Sequence, residues 1–211
     1  MMKKQGILVV VSGFAGTGKG TVMKELVNRY DSYALSVSAT TRAPRNGEVN
    51  GREYFFKTKE EFEQMIQKGE FIEYACYVGN YYGTPKTYVE EQLQNGKNVL
   101  LEIEIQGALK IREIFPEAVL LFIAPPSAEI LKQRLTDRGT ETPEVIEQRL
   151  ARAAEEVQGI EKYDYLIVND ILDECVEHVH NTIQCEKWKM SRQSAEAKKL
   201  KEEISRFAKG E

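Results

Sequence analysis

Long apolar runs are missing from this 211-residue sequence: stretches such as Ile7 to Val11 and Val119 to Ala124 fall far short of the roughly 20 residues a bilayer span requires. Cysteine is scarce and odd in number, with Cys76, Cys175 and Cys185 far apart or at helical spacing. That excludes a disulfide framework and fits free thiols in a reducing compartment. No excess of positive charge exists, since 29 basic residues face 33 acidic ones for a net −4. A general binder of duplex DNA or anionic membrane is thereby disfavoured, whereas a compact site for a small anion is not. Internal repeats and low-complexity segments are absent as well, and 42% hydrophobic with 29% charged residues is the balance of an ordinary folded domain.

Histidine is nearly as rare as tryptophan, and both copies, His178 and His180, fall between Cys175 and Cys185. The order superficially suggests a metal cluster. Read as a helix from Ile171 to Trp188, however, the segment turns His180 to the far face and puts Cys185 about 15 Å from Cys175, so four ligands cannot converge. No side chain is assigned as a metal ligand.

What the sequence does contain is an alternation. Ile7 to Val11, Val99 to Ile103, Val119 to Ala124 and Tyr165 to Val168 are unbroken or nearly unbroken apolar runs, as strands covered on both faces are. Helical patterns lie between them, at Gly20 to Tyr30, Gly107 to Ile114 and Ala128 to Leu135. This predicts an α/β fold with a parallel sheet. From about Ser38 to Pro85 the texture shifts to polar and aromatic residues, with alternating stretches Glu53 to Lys57 and Phe71 to Tyr77 around a short helix, Lys59 to Lys68. A small, mainly antiparallel insert is expected there. The interruption Asp137 to Glu144 reads as a mobile lid before a further helix, with Thr142 as N-cap and Pro143 in the first turn. Residues 186–211 hold eight basic and five acidic side chains, and Ala197, Leu200, Ile204 and Phe207 mark a narrow apolar stripe. The expectation is a solvated helix that packs this stripe on the core.

The first strand runs directly into Gly13-Phe-Ala-Gly-Thr-Gly-Lys-Gly-Thr21. Gly13, Gly16 and Gly18 let the backbone curl so that successive N–H groups face a phosphate, and the helix that follows adds its positive end. Ala15, Thr17, Gly20 and Thr21 complete the loop, and Lys19 sets an ammonium against the outer phosphates. Where the general motif has a serine or threonine for magnesium, Gly20 stands, so direct ligation by that side chain is excluded. The Gly-Lys-Gly-Thr form resembles nucleoside monophosphate kinases, which implies Mg²⁺ held mainly through ATP phosphates and water.

The insert carries Ser36-Val-Ser-Ala-Thr-Thr-Arg-Ala-Pro-Arg-Asn-Gly-Glu-Val-Asn-Gly-Arg-Glu-Tyr54, Phe71-Ile-Glu-Tyr74 and Gly79-Asn-Tyr-Tyr-Gly-Thr84. It is followed by a strand read over Leu101 to Gly107, then Ile123 to Ser127, Arg138 to Thr142 and Ile167 to Asp170. Together these resemble the guanylate kinase family over about residues 6–185. The physical reading agrees, because Arg42 and Arg45 can present planar forks to one phosphate, with phenolic hydrogen bonds from Tyr54 and Tyr82. Guanine offers adjacent N1–H and N2–H donors that one carboxylate accepts bidentately, and adenine offers no such pair.

The resemblance implies a P-loop three-layer core with a mixed, mainly antiparallel insert for the acceptor nucleotide and a helical lid. Its expected bounds within a single domain are core 5–37, 86–134 and 153–190, insert 38–85, lid 135–152 and tail 191–211. It implies transfer of the γ-phosphate of ATP to GMP and dGMP. The base falls to Glu73 with Ser38 and Thr84, the acceptor phosphate to Arg42, Arg45, Tyr54 and Tyr82. Lys19, Arg45, Arg138 and Arg149 surround the transferring group, and Arg134, Asn169 and Asp170 border adenine. Glu102 stands either at the guanine amino group or, with Glu104, at the waters of magnesium. Phe14 replaces a common proline, Thr84 a serine, and Glu102 and Glu104 the shorter aspartates. A catalytically inactive interaction module of the same fold is the competing class, disfavoured by the intact phosphate loop. With no signal, transit or lipidation pattern at Met1 to Gly6, a cytoplasmic monomer or homodimer is expected, without nucleic-acid or membrane partners.

Overall fold

A computed structural model describes residues 5–208 save 78, 138, 140 and 141. Strands β1 (Leu8–Ser12), β2 (Tyr33–Leu35), β7 (Asn98–Glu102), β8 (Val119–Ala124) and β9 (Tyr165–Val168) form a parallel sheet in the order β2-β7-β1-β8-β9. β1 is central, with Val10 paired to Leu101 on one side and to Leu120 on the other. Successive residues of a strand point to opposite faces, so an unbroken apolar run buries both. Val9, Val11, Leu121 and Ile123 accordingly pack against α1 (Lys19–Arg29) and α7 (Leu172–Glu186), while Leu8, Val10, Leu101 and Leu120 pack against α3 (Lys86–Gln94) and α4 (Ile105–Ile114). The result is three layers.

A third apolar cluster covers the carboxyl ends of the strands. Here α5 (Ala128–Asp137) contributes Leu131 and Leu135, and α6 (Pro143–Glu156) contributes Ile146 and Ala153, around Phe14 and Phe122. The insert is a four-stranded sheet, ordered β4-β3-β6-β5, from β3 (Ala39–Thr40), β4 (Phe55–Phe56), β5 (Phe71–Tyr77) and β6 (Asn80–Pro85). Only β3 and β4 run parallel; the other pairs are antiparallel. Helix α2 (Lys59–Gln67) begins with a complete capping box between Thr58 and Glu61, and plants Phe62 between Phe71 and Tyr81 at ring separations of 4.3 and 5.2 Å.

The structure corrects three readings of the sequence and adds two elements. The strand expected over Leu101 to Gly107 stops at Glu102, and α4 starts at Ile105 with Glu104 as N-cap. Glu102 to Ile105 alternates as a strand would, but Ile105, Ala108 and Ile111 are buried at a spacing of three, so helical packing takes over. Glu53 to Lys57 contracts to the two-residue β4. Edge strand β2 and helix α3 carry no distinct signal in that reading, yet both close the core. Finally, the tail forms α8 (Ser194–Ala208), but its stripe does not pack on the core: Leu200, Ile204 and Phe207 are 57%, 59% and 83% exposed. The core clusters form without any residue of α8. Elsewhere Thr142 does precede α6 as its N-cap, with Pro143 in the first turn, although its side chain makes no capping bond.

Phe62 is fully buried and links the insert's helix to its sheet. Phe62→Ala is expected to cost about 3–5 kcal/mol by the lost burial and the cavity left, read as a lowered urea midpoint.

Candidate active site

The chain leaving β1 returns to β2 on one flank of the sheet, and the chain leaving β7 goes to β8 on the other. Such a reversal opens a crevice beyond the carboxyl ends of the strands, here between β1 and β7. The glycine loop sits at its mouth, pressed against its surroundings. A Cβ on Gly13 would stand 2.2 Å from the Ile123 carbonyl oxygen, and one on Gly18 2.6 Å from Asn169 Nδ2. At Gly16 (φ 91°) it would meet Leu135 at 3.0 Å. Asn169 in turn donates from Nδ2 to the Thr17 carbonyl at 2.7 Å, and from its backbone to Ala124 at 2.8 Å. The buried Thr17 hydroxyl donates to the Phe14 carbonyl, and the Phe14 ring sits edge-on against Phe122 at 5.0 Å. An aromatic residue at position 14 therefore anchors the loop to the core.

Lys19 Nζ lies across the loop, donating to the carbonyls of Gly13 (2.6 Å) and Phe14 (3.2 Å). Beyond it opens a cleft of about 420 Å³ lined by Ala15, Lys19, Glu102, Glu104, Arg149 and Arg152, among others. Gly20 and Thr21 open α1, and Glu102 Oε2 is 3.8 Å from where a Gly20 Cβ would be. The structure thus associates Glu102 with the phosphate loop. Arg149 comes to the cleft from α6, and Glu104 is ion-paired with Arg152 one turn along the same helix. Arg138 lies outside the described residues. At the end of β9, Arg134 donates to the backbone carbonyls of Asn169 (2.8 Å) and Asp170 (3.4 Å), so these three expected residues form one group.

The second group lies on the insert. Thr84 pairs with Glu73 across β5 and β6, and its hydroxyl donates to Glu73 Oε1 at 2.8 Å. Ser38 lies just outside β3, one residue before Ala39, which pairs with Gly83. Thr84 and Glu73 thus stand side by side, with Ser38 at the start of the neighbouring strand. Burial pushes the Glu73 carboxyl above the usual carboxylate range, and only in part do the Thr84 bond and the charge of Lys110 pull it back. Tyr54 and Tyr82 meet edge-on at 6.0 Å, and the Arg42 guanidinium lies 5.3 Å from the Tyr54 ring centre.

Glu48 was not singled out by the sequence reading, although it is the residue that assembles this cluster. Its Oε1 accepts from Arg42 at 2.9 Å and its Oε2 from the Arg45 backbone N–H at 2.7 Å. Those bonds, the Arg42 one first, hold its carboxyl below the usual range. The available signal was a carboxylate three residues after one arginine and six after the other. Arg152 was missed too, being one of several charges on an amphipathic helix. The Arg45 side chain is exposed, and only its backbone is held by Glu48. Glu73 lies on the insert sheet and Arg42 two residues beyond the end of its strand β3, whereas Glu102 lines the same cleft as Lys19.

Residues 5–186 match the family model described as guanylate kinase. The chain belongs to the guanylate kinase family. Curated guanylate kinases of Oceanobacillus iheyensis and Clostridioides difficile are 49% and 51% identical to it, over 96% and 97% of this chain and 98% and 100% of theirs. The crystal structure of guanylate kinase from Anaplasma phagocytophilum superposes with a TM-score of 0.70 at 37% identity, covering 91% of this chain and 92% of that one. The family assignment accords with the parallel core, the mixed insert sheet and the glycine loop. The matched region ends within α7, so α8 lies beyond it.

Two neighbouring glycines of the loop should respond differently to a methyl group. Gly18 has φ 84° and no room, whereas Gly20 meets nothing nearer than 3.8 Å. Gly18→Ala is expected to lower stability by about 1–3 kcal/mol, and Gly20→Ala to raise it by roughly 0.4–1 kcal/mol. Thermal melts of the two variants check this.

Proposed function

We propose that this member of the guanylate kinase family transfers the γ-phosphate of ATP to GMP, and to dGMP, yielding ADP and GDP. The observation that carries this reading is the half-buried Glu73 carboxylate, set by Thr84 on the insert sheet, with Arg42 just beyond the end of strand β3. It accepts the paired N1–H and N2–H donors of guanine, with Ser38 at the start of the neighbouring strand. Arg42, Arg45, Tyr54 and Tyr82 receive the acceptor phosphate, which brings it toward the loop that binds ATP. No observation favours the inactive interaction module, whose expected signature, a degraded phosphate loop, is not what residues 13–21 are.

Phosphoryl transfer asks the protein for alignment, exclusion of water and compensation of charge rather than covalent chemistry. In this reading Lys19 leaves the Gly13 and Phe14 carbonyls for the β and γ phosphates, which offer the ammonium a stronger partner. Arg134 with Asn169 and Asp170 borders the adenine. Arg45, Arg138 and Arg149 gather around the transferring group when the lid segment and α6 close on the loop, favouring transfer to GMP over transfer to water. Magnesium would be held mainly through the ATP phosphates and water, since Gly20 has no side chain to offer it, and Glu102, beside Gly20, is the residue that would receive those waters. When bound, it neutralises charge on the phosphates. The setting proposed is the cytoplasm, in keeping with the lack, among the described residues, of a helix long and apolar enough to cross a membrane. Nucleic acid and membrane are not proposed as partners.

A coupled ADP-release assay tests the acceptor. GMP and dGMP are expected to turn over, with AMP poorer by about 10⁴–10⁵, since its base leaves the carboxylate unpaired; AMP or UMP outpacing GMP would refute the base assignment. Because burial already raises the Glu73 carboxyl and guanine's donors need the ionised form, acidification through that raised range should increase KM for GMP. Glu73→Gln should lose roughly 10- to 150-fold in kcat/KM for GMP and flatten that pH dependence.

Lys19→Ala is expected to lower kcat by about 10²–10³ or more while its circular-dichroism melt stays that of the parent, as for loss of a group that acts mainly on transition-state charge.

A further inference from the structure

Arg152 lines the cleft beyond Lys19, yet neither the phosphate loop nor the acceptor site gives it work. It stands on α6 one turn after Arg149. Its guanidinium is held from two sides, Nη2 donating to Glu104 Oε2 at 2.5 Å and Nε to Glu156 Oε1 at 3.0 Å. Glu156 lies one turn further along α6, so that bond stays within the helix. The other bond joins two elements of the cleft wall. Glu104 is the N-cap residue of α4, but its side chain makes no capping bond there and reaches α6 instead.

As a device for stability the pair counts for little, since both side chains are more than half exposed. Its location gives it a different consequence. Among the described residues that line the cleft, Glu102, Glu104 and Glu156 are negative, and Lys19, Arg149 and Arg152 are positive. These charges cancel. Without Arg152 the excess is negative, on the wall where a polyphosphate has to lie. Glu104 is the carboxylate that matters, because it is the exposed one of the two that Arg152 holds, while Glu156 is mostly covered. A direct grip on the phosphates would oblige the guanidinium to leave both carboxylates at once, with Glu156 left behind in a partly desolvated position.

We propose that Arg152 is a positioning residue for the phosphate donor: it cancels the charge of Glu104 and holds that carboxylate against α6, clear of the polyphosphate. Glu102 is then the carboxylate left to face the phosphate loop. The proposal rests on the reading of the Lys19 loop as the ATP site. It does not depend on which nucleotide accepts the phosphoryl group.

Calorimetric titration of the full chain with a non-hydrolysable ATP analogue and magnesium reads the effect directly. Arg152→Ala should weaken binding of the analogue about 5- to 30-fold at roughly 0.05 M salt, and less at roughly 0.5 M, where the uncovered charge is screened. Adding Glu104→Gln to Arg152→Ala should bring the affinity back to within about threefold of the parent, as for two residues coupled to one another. Glu155→Gln, the same change of charge on α6 but outside the cleft, should bring no such recovery. In steady-state assays the loss should fall on KM for ATP rather than on kcat, with the melting temperature of Arg152→Ala close to that of the parent. Parent-like binding by Arg152→Ala would overturn the proposal. So would a loss that Glu104→Gln leaves in place, or one that falls on kcat, since either makes Arg152 a direct phosphate contact. Glu104→Gln alone weakening binding as much as Arg152→Ala would put that carboxylate at the waters of magnesium and be equally fatal. A parent chain that fails to bind the analogue would overturn both this proposal and the reading of the loop beneath it.

Discussion

The rest of the molecule is arranged around the close approach of the glycine loop to the strand ends. The loop backbone lies against the Ile123 carbonyl, Leu135 and Asn169, nearer than a side chain would allow. Each of those neighbours belongs to a different element: β8, α5 and the turn after β9. A phosphate cradle must hold its N–H groups in one orientation before the anion arrives, or the ordering cost falls on binding. Packing from three directions supplies that rigidity, and Phe14 adds a fourth contact by inserting its ring into the cluster beneath.

The same double use appears in α6. One face places Ile146 and Ala153 in the cluster under the loop, and the adjoining flank brings Arg149 and Arg152 to the cleft. A helix that is both core and site cannot travel far without disturbing apolar contacts, so its motion is coupled to the loop it covers. The insert is built the other way. Its α2 side is stapled by the Phe62, Phe71 and Tyr81 stack, which leaves Glu73, Thr84, Tyr82 and Arg42 on a surface free of that packing.

Much of this was legible in the residues. Unbroken apolar runs found four of the five core strands because burial on both faces leaves no room for polar alternation, and the glycine loop was legible because its chemistry demands fixed spacing. Strand β2 escaped because three residues, Tyr33, Ala34 and Leu35, are too few to show a period. Helix α3 escaped because it buries only Val89 and Leu93 and starts at Pro85 without a side-chain cap. The Glu48 role was hidden for another reason: a carboxylate among arginines reads as a solvated surface pair until the fold bends residues 42 to 48 onto one another. The exposed stripe of α8 was legible as a stripe, but its spacing alone does not say whether the core has an open face left to receive it.

Glu48 has one more consequence. The Arg42 guanidinium, beside the Tyr54 ring, has the Glu48 carboxylate for company. If the acceptor phosphate is received here as proposed, it would enter by exchange, taking over hydrogen bonds from a resident tenant and handing them back on leaving. For a catalyst that must let go of its charged product at every cycle, that built-in competitor would act as a return spring.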